Sequence, residues 1–345
     1  MAYTTTAVGV VKTGSNLNMG EMVNKLGLTG TLVGQGYNIG NLYRGGSYVQ
    51  DCKNNQYVPS SGAIAFSQLQ GACRYIRCTV TTTHDRLNVS SVWSHSNSVW
   101  NGSSYVSGPW DEWGEYIDKY LELGADVYSS NSTSAMTIPS GHGGTAIFLK
   151  MNGYGIYGYR GGGGGQASRG QDGFTAIYTQ SSLAIDGTGY LYGGGGGGGG
   201  GGRGGREGND GRNNRNYCCG WFCPQCSSCD RGVGGGGDGG GSGGRGGAGS
   251  WYSAGRQGGQ GGNNPGNGGG QGGSGGPGGN LGQGGSNGNG GNPGNTGPGG
   301  NCQGGGGGGG GQGGGGGSNG GYYLIGNQYT TIASNVTKGG RIGNS

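Results

Sequence analysis

The chain has 345 residues, 103 of them glycine, and only 29% are hydrophobic, too few to fill two ordinary cores. Its net charge of +5 is too weak and dispersed to imply a nucleic-acid partner by itself. The sequence holds no apolar run long enough for a membrane-spanning helix, so no membrane insertion is expected. Its first residues, Met1-Ala2-Tyr3-Thr4-Thr5, lack the basic and apolar regions of a secretory signal.

Residues 1–75 carry a small pattern three times: apolar, any, apolar, small, any, apolar. It reads Leu17-Asn18-Met19-Gly20-Glu21-Met22, Tyr37-Asn38-Ile39-Gly40-Asn41-Leu42 and Ile64-Ala65-Phe66-Ser67-Gln68-Leu69. Each copy suits a short strand running into one helical turn. Gly27, Gly45 and Gly71 follow where such a turn would end with positive φ. The units are too small to hold a core alone, and the segment reads as a docking region.

Residues 76–140 read as a small β-rich domain, opened by the alternating, β-branched run Ile76-Arg77-Cys78-Thr79-Val80-Thr81. Within it Trp113, Tyr116, Ile117, Tyr120 and Leu121 stand at helical spacing with Gly124 behind them, which predicts a helix. Trp93, Trp100, Trp110 and Trp113 could bind sugar, but the core of this domain is the favoured reading.

Residues 141–202 contain a second repeat. Leu149-Lys150-Met151-Asn152-Gly153-Tyr154-Gly155-Ile156-Tyr157-Gly158 matches Leu183-Ala184-Ile185-Asp186-Gly187-Thr188-Gly189-Tyr190-Leu191-Tyr192. Thr145-Ala146-Ile147-Phe148 and Thr175-Ala176-Ile177-Tyr178 precede the two copies, and glycine runs follow both. Strand, turn, strand and glycines, repeated, predict stacked β-rungs.

Residues 203–321 are the glycine-rich half. From Gly273 to Gly300 every third residue is glycine, and weaker stretches of the same period carry Arg203, Arg206, Arg212 and Arg215, then Ser242 to Asn263. A period of three belongs to polyproline-II-type helices. Ordering a backbone residue costs about 1–2 kcal/mol, and a net hydrogen bond returns about 0.5–1.5 kcal/mol. A lone rod would therefore stay disordered, whereas bare glycine faces packed side by side could order. Collagen shares the period but prefers proline, which is sparse here. The fold class expected from these readings is a mainly β N-terminal half with short helices and a C-terminal half built as a packed polyglycine-II helix lattice. A C-terminal β segment follows at residues 322–345.

The units Leu42-Tyr43-Arg44-Gly45-Gly46 and Val58-Pro59-Ser60-Ser61-Gly62-Ala63-Ile64-Ala65-Phe66-Ser67 resemble the start of many tailed-phage minor tail and tail-fibre proteins. The two tyrosine–glycine rungs and the closing Tyr323-Leu324-Ile325-Gly326-Asn327-Gln328-Tyr329 with Gly340-Arg341-Ile342-Gly343 are similar to the glycine-rich modules of the same proteins. The glycine-rich tip adhesins of T-even-like phages are a looser likeness, and this chain departs from them in its cysteine cluster and large N-terminal half. The resemblance implies a virion tail component, fibre or tip, assembled in the host cytoplasm beside other tail or baseplate proteins. It also implies attachment to a host surface polysaccharide or outer-membrane protein. A non-adhesive baseplate role is the alternative, followed by a glycine-rich nucleic-acid binder or a surface matrix protein. Whether the chain forms a homo-oligomer is left open.

The sharpest cluster lies at residues 216–232, with Cys218, Cys219, Cys223, Cys226 and Cys229. Disulfides could pin a loop there, four thiolates could hold zinc or an iron–sulfur centre, or the thiols could stay free; the spacing does not choose between them. No other cofactor is expected. Tyr217, Trp221 and Phe222 share the segment, and Trp251 and Tyr252 form a second aromatic point; such residues anchor partners well, or else pack locally. Arg203, Arg206, Arg212 and Arg215 could grip an anion or form a solvated face. Together these nine aromatic and basic residues are the candidate receptor-binding set. His84, His95 and His142 form no triad or metal pattern, and no catalytic motif is present, so no enzyme is expected.

Overall fold

The computed structural model describes residues 3–8, 39–46, 48–72, 75–93, 98–100, 103, 105–107, 113–143, 146–203, 212–217, 226–231, 273–293 and 311–344. Short strands dominate. They stack into three sheets whose strands run parallel, apart from the antiparallel first strand Tyr3–Val8. Each turn of the chain contributes one strand to each sheet in succession. The first turn supplies Tyr75–Val80, His84–Asp85 and Leu87–Asn88; the second Asp118–Leu123, Val127–Tyr128 and Met136–Ile138. The third supplies Ile147–Lys150, Gly155–Tyr157 and Ile177–Thr179; the fourth Leu183–Asp186, Gly189–Tyr192 and Tyr322–Ile325. Thr330–Ile332, Val336–Gly339 and Arg341–Gly343 close the stack.

Side-chain alternation explains the core. Ile76, Lys119, Ile147 and Leu183 share one register, and Cys78, Leu121, Leu149 and Ile185 the next. All eight are buried, so each turn rests its inward residues on those of the last. Burying each Leu or Ile contributes roughly 1.5–3 kcal/mol. Lys119 is the exception among apolar neighbours. Its ammonium donates to the carbonyls of Glu115 and Ile117 at 2.9 and 3.2 Å, which satisfies a buried charge at the entry to its strand. Trp93 and Trp113 pack on this core, while Trp100 and Trp110 have no described side chain. Cys52 and Cys78 are buried thiols within it. A second, smaller cluster of Leu42, Val49, Val58, Leu69 and Ala72 belongs to the N-terminal repeats. Two copies of that repeat form short 3-10 turns, Ile39–Leu42 and Phe66–Leu69, with positive φ at Gly45 and Gly71. The copy at residues 17–22, with Gly27, lies outside the described residues.

The expected fold class needs correcting. Strands run through both halves of the chain, and each of the three stacked sheets draws on both. Among the described residues helix is confined to Val89–Trp93 and a few 3-10 turns. The described glycine segments carry no helix, so a helical polyglycine-II lattice is not what they form. They are extended connections between strands, bonded sideways to one another, and the chain returns from them into the same sheets. The helix expected around Trp113 to Leu121 is also replaced, by the strand Asp118–Leu123. Lys119, Leu121 and Leu123 alternate inward there, and bonding to strands on both sides outweighs the propensity of a short, marginal helix.

The rung repeat between residues 149 and 192 is present as stacking, with Leu149 opposite Ile185 and Ile156 opposite Leu191. The look-alike pieces that precede it part company. Ile147 stands in the first sheet, whereas Ile177 stands in the third, between Met136 and Leu324.

Candidate functional site

Both long glycine excursions leave the stack at the same corner, between the second and third sheets. The third turn departs after Tyr157 and rejoins at Ile177; the fourth departs after Tyr192 and rejoins at Tyr322. The earlier turns cross this corner by shorter links, and the last crosses it at Gly340, with φ of 120°. Because the excursions rise from adjacent turns, they lie side by side.

Residues 193–202 occupy the centre and are all buried. Every carbonyl from Gly193 to Gly202 accepts an N–H from a neighbouring segment. The donors recur at every third residue. Gly161, Gly164 and Ala167 come from one side; Gly273, Gly276, Gly279 and Gly282 from a second; Gln312, Gly315, Ser318 and Gly321 from a third, where Gln312 meets Arg203 just past the run. Close approach requires that no side chain intervene. A Cβ added to Gly197 would run into the carbonyl oxygen of Gly162, and one on Gly200 into that of Gly165. Such contacts satisfy the backbone polar groups that a buried segment must otherwise leave unpaired.

Polar side chains fasten the edges. Ser318 donates through Oγ to the carbonyls of Gln171 and Gly197 at 2.7 and 2.6 Å. Asp172 joins three pieces of chain: its carboxylate accepts from Arg169 at 2.8 Å, from the Asn319 N–H at 3.0 Å and from Arg341 at 3.4 Å. The guanidinium of Arg341 also lies 4.2 Å from the ring centre of Tyr322. Asp172 was not singled out in the sequence. An acidic residue between glycines, three residues after Arg169, is the signal that could have marked it.

The bundle has a near end and a far end. The near end sits on the strands, where Gly193 donates to Gly339 and the turn at Gly282 lies against Gly339. At the far end are the turn at Ala167 and, bonded to one another, Gly202, Arg203, Gly273, Asn289, Gly291 and Gln312. The chain between 203 and 273, which holds nearly all the candidate receptor residues, therefore starts and ends at the far end.

Arg203 is exposed there, and its carbonyl accepts from Gln312 at 2.7 Å. Arg212, Arg215 and Tyr217 lie in the strand Arg212–Tyr217, which pairs antiparallel with Cys226–Arg231. A strand with a period of two thus replaces the three-residue rod expected for the arginines at 212 and 215. The register sets Tyr217 opposite Cys226 and Asn214 opposite Cys229, so residues 218–225 connect the hairpin at the end marked by Tyr217 and Cys226. Cys218, Cys219, Trp221, Phe222 and Cys223 fall in that connection. They, with Arg206, Trp251 and Tyr252, lie outside the described residues.

Burial would raise Asp85, but two hydrogen bonds from Ser130 and the neighbouring Arg86 outweigh it and hold the carboxyl below its ordinary range. Burial lowers His84 despite Asp85 beside it, and burial together with the Lys119 charge lowers His142. Neither histidine belongs to a group of metal-ligating side chains among the described residues.

Residues 78–221 match the family described as phage tail fibre adhesin Gp38, a span from the first sheet into the hairpin connection. The chain is also similar to a solved structure, the gp37-gp38 adhesin tip complex of the bacteriophage S16 long tail fibre. Identity is 17% and the TM-score 0.38, over 82% of this chain and 88% of that one. No curated protein matches. The family match supports a phage tail fibre adhesin, a tail component that mediates attachment to the host.

Proposed function

We propose that the strand stack holds the glycine bundle as a rigid mount, and that the chain carried at the bundle's far end makes the contact with the host. The observation that carries this reading is that Gly202, Arg203, Gly273, Asn289, Gly291 and Gln312 meet at one end of the bundle, so that the chain between 203 and 273 starts and ends there. The far end is the part of the bundle most remote from the strands. In sequence, the chain between 203 and 273 is where aromatic and basic residues replace glycine, and large aromatic groups on a rigid scaffold anchor partners at low entropic cost. The receptor is a host surface polysaccharide or outer-membrane protein. The N-terminal repeats and other tail or baseplate proteins form the opposite attachment, and the role is structural and adhesive rather than catalytic. The cysteines at 218–229 brace the far segment, by disulfide or by zinc. Metal content measured on purified protein separates the two.

A particle carrying Trp221→Ala and Trp251→Ala together is expected to assemble normally and adsorb to its host about tenfold more slowly, the scale of losing two anchor residues. Unchanged adsorption in assembled particles would remove these residues from the contact.

A further inference from the structure

The outer face of the second sheet carries a row of tyrosines that the attachment reading leaves unused. Tyr128, Tyr157 and Tyr192 stand in register on successive turns, and Tyr190 lies two residues before Tyr192 on the same strand. The Tyr157 and Tyr192 rings are 6.4 Å apart and within 9° of parallel; those of Tyr190 and Tyr192 are 6.4 Å apart and within 15°.

Glycines set the rings in place. A Cβ on Gly155 would collide with the hydroxyl end of the Tyr157 ring, and one on Gly339 with the edge of the Tyr192 ring. The rings therefore lean over bare backbone instead of standing upright between side chains. Gly155 is itself pinned, its N–H donating to Asp126 Oδ1 at 2.8 Å. Tyr190 remains 47% exposed and Tyr154, just beyond the strand, 39%. Asp85 lies opposite Tyr128 at one end of the row, and at the other Thr337, exposed, lies opposite Tyr190.

We propose that this row is a binding platform for a neutral hexopyranose chain, a glycan laid across the second sheet. Flat tyrosine faces take the C–H faces of sugar rings, and their hydroxyls and the polar groups at both ends of the row can hydrogen-bond sugar hydroxyls. The size of the row favours this occupant over a protein. Of the four tyrosines, each carrying roughly 200 Å², only Tyr190 is about half exposed and Tyr128, Tyr157 and Tyr192 less so, which leaves the row well short of the ~800 Å² per partner of a stable protein interface. A few sugar rings need no more. The platform is continuous with the mount of the far-end contact, because Tyr192 runs directly into the central glycine run. Only the biological source of the glycan, the host surface, depends on the attachment reading.

Cellohexaose, a flat β-linked probe, tests the site in solution by saturation-transfer NMR on the full chain. Transfer to sugar C–H protons is expected. Tyr190→Ala should weaken binding at least about tenfold, the effect of removing one stacked ring. Gly155→Ala should also weaken it by displacing the Tyr157 ring, while Tyr116→Ala, at an exposed tyrosine off this face, should not. Absence of transfer from cellohexaose, or binding unchanged in both Tyr190→Ala and Gly155→Ala, would overturn the proposal. Loss of cellohexaose binding with host adsorption intact would leave the far-end reading standing. Normal adsorption in the Trp221 and Trp251 variant would remove that reading without touching this site.

Discussion

The strand stack and the glycine bundle reach close packing by opposite routes. In the stack, side chains fill the space between sheets, and Leu121, Leu149 and Ile185 touch because their register repeats. In the bundle, the absence of side chains lets backbones touch, and carbonyls from 193 to 202 take N–H groups from three neighbouring segments. Dispersion and the hydrophobic effect dominate the first region; satisfied backbone polarity and close approach dominate the second. The same substitution should therefore have opposite consequences in the two places: losing a methyl group harms the stack, and gaining one harms the bundle.

The largest effect is expected from Leu121→Ala, which opens a cavity at a fully buried position and should cost about 2–5 kcal/mol in denaturant unfolding. A cost within the range of a surface change would break the claim that this strand is core. Next comes Gly200→Ala, whose new methyl meets the Gly165 carbonyl and should cost about 1–3 kcal/mol. Gly313→Ala, which meets nothing within 4 Å, should stay within about 0.5 kcal/mol. Equal effects at Gly200 and Gly313 would mean that the bundle does not depend on close approach.

Asp172→Ala removes the partly exposed joint between Arg169, the Asn319 N–H and Arg341. It should cost about 1 kcal/mol or less and loosen the bundle's edge more than the stack. Hydrogen exchange that quickens equally in both regions would show that they open as one unit. The smallest effect concerns pH. His142 binds its proton less readily when folded than its ordinary value of 6.5. The unfolded chain therefore takes up more protons as pH falls through that value, and stability drops on acidification. His84 acts in the same sense. His142→Gln should flatten the unfolding profile between about pH 7 and pH 5; an unchanged slope would exclude His142 as a source.

Side chains made the stack legible where they alternate. The run from Ile76 announced the strand Tyr75–Val80, and the likeness between Leu149 and Leu183 announced turns that do stack. Register was harder. Ile147 and Ile177 sit in similar words yet occupy different sheets, because the intervening glycine excursion carries the chain around a corner. Residues 113–121 showed helical spacing, but Leu121 also belongs to the two-residue alternation of Lys119, Leu121 and Leu123, and the sheet decided between the periods. The bundle was the least legible part. Glycine has no side chain to indicate its neighbours, so a period of three suggested helical rods, and nothing in the run pointed to the shared corner. The attachment residues were chosen where the glycine rhythm fails. The described chain shows where those segments begin and end, and Tyr217 and Cys226 meet at the end of a hairpin.

Amide hydrogen exchange across residues 183–203 compares the two kinds of packing within one stretch of chain. If the bundle is a folded mount, the amides of Gly194, Gly197 and Gly200, which donate to Phe174, Gln171 and Ser168, should exchange as slowly as those of Leu183 to Tyr192. Exchange of these glycines at the rate of an unstructured chain, beside protected strand amides, would contradict the account.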